Sequence, residues 1–150
     1  MHARLGVVGS RLGTALPHHW GPKMQGASIF LVEDEALIRM MLAEMVEELG
    51  HRVVAEAGNI QDGQALAESA VFDLALLDIN VAGYTSASIA EIIQGRGLPF
   101  LFVTGYNSTG LGPPFSDSAV LQKPFPTERL KGAIDLALNR VKTSPRAAAP

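Results

Sequence analysis

Residues 29–35 read Ile-Phe-Leu-Val-Glu-Asp-Glu, so four apolar side chains run directly into three carboxylates. Neighbouring carboxylates repel one another unless a cation sits among them. Clustered carboxylate oxygens suit Mg²⁺, a hard ion that takes one or two carboxylates and completes its shell with waters and phosphate oxygens. Other residues extend this chemistry. Asp78 follows the apolar run of residues 74–77, and a carboxylate can attack phosphorus to form an aspartyl phosphate. Thr104 ends the run that starts at Phe100, and its hydroxyl can donate to a phosphoryl oxygen. Lys123, just before Pro124, offers a point charge to another such oxygen. Phosphoryl transfer depends chiefly on positioning and charge neutralisation, and this set supplies both.

Taken singly, each residue has an ordinary reading. An acidic run favours a helix start through the dipole. Asp78 and Thr104-Gly105 are acceptable turn residues, and a single Lys-Pro means little. The functional reading needs all of them on one rim, and the elements along the chain provide that rim. Ile29–Val32 is predicted as a strand. Leu37, Met41 and Met45, with Ile38, Leu42, Val46 and Leu49 beside them, predict a helix over Ala36–Leu49, stopped by Gly50. His51–Ala57 is a second strand. Asn59 caps a helix reaching about Ala70. Phe72–Asp78 is a third strand, too uniformly apolar for one wet face. Thr85 or Ser86 caps the next helix, which Gly95 ends. Pro99–Thr104 and Ala119–Gln122 are the last strands, and Leu130, Ile134, Ala137, Leu138 and Val141 mark a closing helix. Strand and helix alternate as in a parallel sheet covered on both faces. Ligands bind beyond the carboxyl ends of such strands, where Glu33, Asp34, Asp78 and Thr104 fall. Residues 106–118 contain Gly-Pro-Pro and show no helical period, so a loop or one or two turns are expected where a fourth helix is due.

Composition narrows the alternatives. The chain of 150 residues is 47% hydrophobic, enough for one domain with a real core. It has no cysteine, which excludes thiolate metal sites and thiol nucleophiles. No apolar run approaches the roughly 18 residues of a membrane helix. All acidic residues lie between Glu33 and Asp135, while the first 26 residues hold Arg4, Arg11 and Lys23 and no acid. The acidic folded part argues against nucleic acid as a partner, and a cytoplasmic location is expected. Residues 1–26 and 143–150 read as flexible tails around a domain at 27–142. His51, just after a helix stop, is expected to interact with the helix C-terminus rather than with a metal.

The segments "LVEDE", "LLDIN", "FVTGY" and "LQKPF", in this order, resemble the response-regulator receiver domain of two-component signalling, over roughly residues 27–142. "PFLFVTGY" is similar to the FAT GUY subgroup of single-domain regulators, with Val103 in place of its Ala. The resemblance implies an α/β, flavodoxin-like, doubly wound five-stranded parallel sheet. It implies that Asp78 is the phosphoacceptor, Asp34 a direct Mg²⁺ ligand, Glu33 a mostly water-mediated one and the Asn80 carbonyl another. Thr104 would be the switch hydroxyl and Lys123 the phosphate-binding lysine, on a cis Lys123-Pro124 bond. Two departures stand out. Many receivers carry Met-Pro where this chain has Val81-Ala82, and an aromatic switch residue where it has Val120. Tyr106 is a candidate to take over part of that role.

The expected function is that of a single-domain response regulator without an output domain. It would take a phosphoryl group on Asp78 from a histidine kinase or a histidine phosphotransfer protein, with Mg²⁺ as cofactor, and signal by protein contact. It is not expected to act as an enzyme on external substrates. The alternative is a protein-binding module of the same fold that works without phosphorylation. Residues 106–118, with Leu111 and Phe115, are the expected switch surface.

Overall fold

A computed structural model describes residues 26–105 and 111–143. The tail over residues 1–25, Tyr106 and the first part of the expected switch segment, and the end beyond residue 143 lie outside the described residues. β1 is Ser28–Val32, α1 Ala36–Glu48, β2 Arg52–Ala57 and α2 Ile60–Ser69. β3 is Leu74–Asp78. A short hairpin follows, β4 Asn80–Val81 and β5 Tyr84–Thr85. Then come α3 Ala87–Gly95, β6 Phe100–Thr104, β7 Val120–Gln122 and α4 Thr127–Thr143.

Five strands form one sheet in the order β2-β1-β3-β6-β7, and every pair in it is parallel. This is the expected flavodoxin-like arrangement. β1 and β3 are buried along their whole length, which is why their sequences show no polar alternation. Successive side chains still point to opposite faces. Ile29, Leu31, Leu74 and Leu76 pack with Leu42 and Val46 of α1 and Leu130 and Ile134 of α4. Phe30, Val32, Ala75 and Leu77 pack on the other face with Ala67 of α2 and Ile89, Ala90 and Ile93 of α3. Gly63 lets α2 and α3 approach closely, because a Cβ there would sit 2.4 Å from Ile89 Cδ1.

Several local expectations hold. Asn59 caps α2, its side chain accepting from Asp62 N–H at 2.8 Å. Gly50 ends α1 with φ +93°. Another needs correction. Leu37 and Met41 do not belong to the buried stripe of α1; they are 69% and 56% exposed, and Leu42 and Val46 are the buried pair. Of the two cap candidates for α3, Thr85 makes the bond, its Oγ1 accepting from Ala87 N–H at 3.1 Å, and the Ser86 side chain makes none. His51 meets the helix end through its backbone, its N–H donating to the Val46 carbonyl at 3.2 Å, while its imidazole Nδ1 accepts the Ala27 N–H at 2.9 Å. The tiny β4–β5 hairpin has no counterpart in the sequence reading.

No helix lies between β6 and β7 among the described residues, as the breakers there predict. Residues 111–118 form turns, with Phe115 N–H donating to Gly112 and Ser118 N–H to Phe115. Phe115 is not a loose side chain. It is buried, and its ring meets those of Phe100 and Phe102 edge-on at 5.6 and 5.9 Å. Leu111 packs against the same cluster.

Candidate functional site

The carboxyl ends of β1, β3, β6 and β7 converge on one rim, and the expected residues meet there. Asp78 is the last residue of β3 and is buried. Glu33, just past β1, is buried as well, while the next residue, Asp34, is exposed. Carboxylate oxygens of Glu33, Asp34 and Asp78 all lie within 4.8 Å of one another. Lys123, just past β7, reaches in from the other side. Its Nζ lies 3.0 Å from Glu33 Oε1 and 3.8 Å from Asp78 Oδ2. The Lys123-Pro124 bond is cis, and Lys123 N–H donates to the Thr104 carbonyl at 2.7 Å. Thr104 is buried at the end of β6. Asn80 lies in β4, two residues past Asp78, and is exposed.

Backbone donors hold the carboxylates in place. Glu33 Oε2 accepts the Glu35 N–H and Asp34 Oδ2 the Ala82 N–H, at 3.0 and 2.9 Å. The main chain of Glu33 is fixed on both sides, its N–H donating to Ala57 and its carbonyl accepting from Arg39 Nη1. Arg39 Nε also pairs with Glu56 at 3.1 Å. Arg39 and Ala82 escaped the sequence reading. One bonds to a backbone carbonyl and the other acts through its own N–H, and no side-chain pattern marks either.

Packing three acids together has an electrostatic cost. Burial, and then the Glu33 charge, push the Asp78 carboxyl up from its ordinary 3.8 to about 7, against the opposing pull of Lys123. A carboxyl that retains its proton near neutrality is a poor nucleophile. A dication among the three groups relieves the repulsion and favours the ionised form. The donor set fits such an ion: hard carboxylate oxygens, one acid open to solvent and two buried.

A groove of about 470 Å³ runs beside this rim between α1 and the segment 123–125 that leads to α4, lined by Ile38, Leu42, Met45 and Phe125 together with Glu35 and Lys123. Met41, which also lines the groove, is exposed on α1 together with Leu37 and Met40. No helix among the described residues is long and apolar enough to cross a membrane.

Residues 29–135 match the family described as the response regulator receiver domain. The transcriptional regulatory protein PdtaR of Mycobacterium tuberculosis (strain ATCC 25618 / H37Rv) is 38% identical over 120 residues, covering 76% of this chain and 58% of that protein. The phyllosphere-induced regulator PhyR of Methylorubrum extorquens is 32% identical over 114 residues, or 73% of this chain and 43% of that protein. The chain thus spans about half the length of these curated relatives. The solution structure of SdrG from Sphingomonas melonis Fr1 superposes with a TM-score of 0.68 at 35% identity, covering 76% of this chain and 98% of that one.

Proposed function

The chain belongs to the response regulator receiver domain family, and from that premise we propose that Asp78 accepts a phosphoryl group from a phosphohistidine donor in a Mg²⁺-dependent reaction. The donor would be a histidine kinase or a histidine phosphotransfer protein. The observation that carries the reading is the placement of Asp78, buried beside two further carboxylates, with the Lys123 ammonium 3.8 Å from its Oδ2 and 3.0 Å from Glu33. An Asp78 carboxylate oxygen attacks the donor's phosphorus. An O–P bond forms, the N–P bond breaks, and the departing electron pair returns to the imidazole nitrogen, which then takes up a proton. Mg²⁺, when bound, neutralises charge on the carboxylates and on the phosphoryl oxygens. Glu33, Asp34 and Asp78 would hold it, with the Asn80 carbonyl as a further ligand. Lys123, 3.8 Å from Asp78, would pair with a phosphoryl oxygen, and Thr104, at the end of the neighbouring strand β6, would donate a hydrogen bond to another.

The product is a signal rather than a released metabolite, so the outcome is a change in what the surface binds. The exposed Leu37, Met40 and Met41 are an apolar surface close to the site, suited to a docking donor. A reading as a phosphorylation-independent binding module draws on Val120, which stands half-exposed where many receivers carry the aromatic switch residue.

Incubation with acetyl phosphate and Mg²⁺, followed by intact-mass measurement, tests the proposal. One phosphoryl adduct is expected, abolished by Asp78→Asn and by EDTA. An adduct that persists in Asp78→Asn would remove Asp78 from its role. The absence of any adduct in the unaltered protein would favour the binding module.

A further inference from the structure

Val81-Ala82 occupies the place where many receivers carry Met-Pro, and it lies in a tight hairpin. Val81 pairs with Tyr84 and Asn80 with Thr85, leaving Ala82 and Gly83 as a two-residue turn. Both turn residues have positive φ, +51° at Ala82 and +91° at Gly83, as the tightest hairpin turns require. Glycine enters this region freely. Alanine does so only against a clash between its Cβ and the backbone, and Ala82 is the one described non-glycine residue found there. Proline is barred from it, since its ring fixes φ at about −65°.

The strained turn makes one long-range bond. Ala82 N–H donates to Asp34 Oδ2 at 2.9 Å, joining residues 48 apart in sequence. Proline, with no N–H, cannot form it. The bond also meets a specific need. Glu33 is buried and held through both carboxylate oxygens and its carbonyl. Asp34 is exposed, and among the described residues the Ala82 amide is its carboxylate's hydrogen-bond partner. A strained residue beside a functional carboxylate points to a use for the strain.

We propose that the β4–β5 hairpin is a latch that sets Asp34 for the cation, with the Ala82 amide as a positioning group for the metal centre. This rests on the reading that Glu33, Asp34 and Asp78 hold Mg²⁺. A carboxylate has two oxygens and about four lone-pair sites, so a bond to Oδ2 leaves Oδ1 for the ion. The latch fixes the side chain before the ion arrives, so less ordering remains to be done on binding. The replacement of Met-Pro by Val-Ala thereby supplies a donor that the commoner sequence lacks.

Two variants of the full chain separate the latch from simple loop stability. Ala82→Gly keeps the N–H and removes the strain. Ala82→Pro removes both the N–H and the left-handed turn. Mg²⁺ affinity is read from the amide shifts of Asp34 and Asp78 in ¹⁵N-labelled protein, with the metal-free melting temperature measured alongside. Ala82→Gly should bind Mg²⁺ within about twofold of the unaltered protein, and Ala82→Pro about tenfold more weakly, in the range of outer-shell changes at metal sites. Equal affinity in all three proteins would overturn the latch. Should Ala82→Pro not fold, amide exchange decides without any metal: Ala82 N–H should exchange at least about tenfold faster in Asp34→Ala, and unchanged exchange would overturn the proposal. If the unaltered protein shows no shift at millimolar Mg²⁺, the metal reading itself falls, a failure distinct from that of the Ala82–Asp34 bond.

Discussion

In protein stripped of metal with EDTA, Asp78→Asn should become increasingly more stable than the unaltered chain as pH rises. The folded-state pKa of Asp78 lies above its ordinary value, about 7 against 3.8. Folding therefore retains a proton that the unfolded chain gives up. The associated stability is fully present below the ordinary value and is lost as pH rises through about 7. At 1.36 kcal/mol per pK unit the complete loss is about 4 kcal/mol. Roughly a third of it is already gone at about pH 5, because the unfolded carboxyl ionises first. The larger part remains to be lost between about pH 5 and about pH 8, and solvent at the mouth of the site trims it to about 2 kcal/mol. Asparagine carries no proton to lose, so the stability gap between the two proteins should widen by that amount over the same range. Urea unfolding across the range measures it, and slower titrations shared by both proteins cancel in the difference. A gap that stays constant would show that Asp78 titrates as an ordinary carboxyl, and the electrostatic account of the cluster would fail.

Mg²⁺ should stabilise the unaltered protein more at about pH 8 than at about pH 5, because a metal ligand must be ionised; calorimetric melting with and without the ion checks this. Phe115→Ala should cost about 3–5 kcal/mol in urea unfolding, since its ring is enclosed by Phe100 and Phe102. Leu37→Ala, at a mostly exposed position, should stay within about 0.5 kcal/mol in the same assay. Asn59→Ala removes the one side-chain cap of α2 and should cost about 1 kcal/mol.

The residues of the site were legible because each closes an apolar run, and in a parallel sheet the ends of such runs share one rim. Asp78, Thr104 and Lys123 needed only the strand order to meet Glu33 and Asp34. That no helix precedes β7 among the described residues was legible too, because Gly112, Pro113 and Pro114 break the pattern outright. What stayed hidden was decided by tertiary context. Leu37 and Met41 have the spacing of a buried stripe, but the sheet covers only the Leu42–Val46 side of α1. Phe115 lies in a stretch without periodicity, and only the packing of three rings shows that it belongs to the core. The β4–β5 hairpin has two residues per strand, too few for alternation to register, and an alanine in a left-handed turn is the choice that turn preferences rank low.

The five-stranded order also distributes mechanical compliance unevenly across the site. β3 is clasped by β1 on one side and β6 on the other, so the main chain beneath Asp78 is held by ladder hydrogen bonds on both sides. β7 has three residues and a single neighbour, β6, and Lys123 hangs from its end. When a new charge pulls the two groups together, the displacement divides in inverse proportion to stiffness. On the proposed function, Asp78 would act as an anvil, and the recoil would pass through Lys123 into the sheet edge. The outer face there carries Val120, so the part of the surface that yields most lies on the margin of the sheet, one strand beyond the Thr104 hydroxyl.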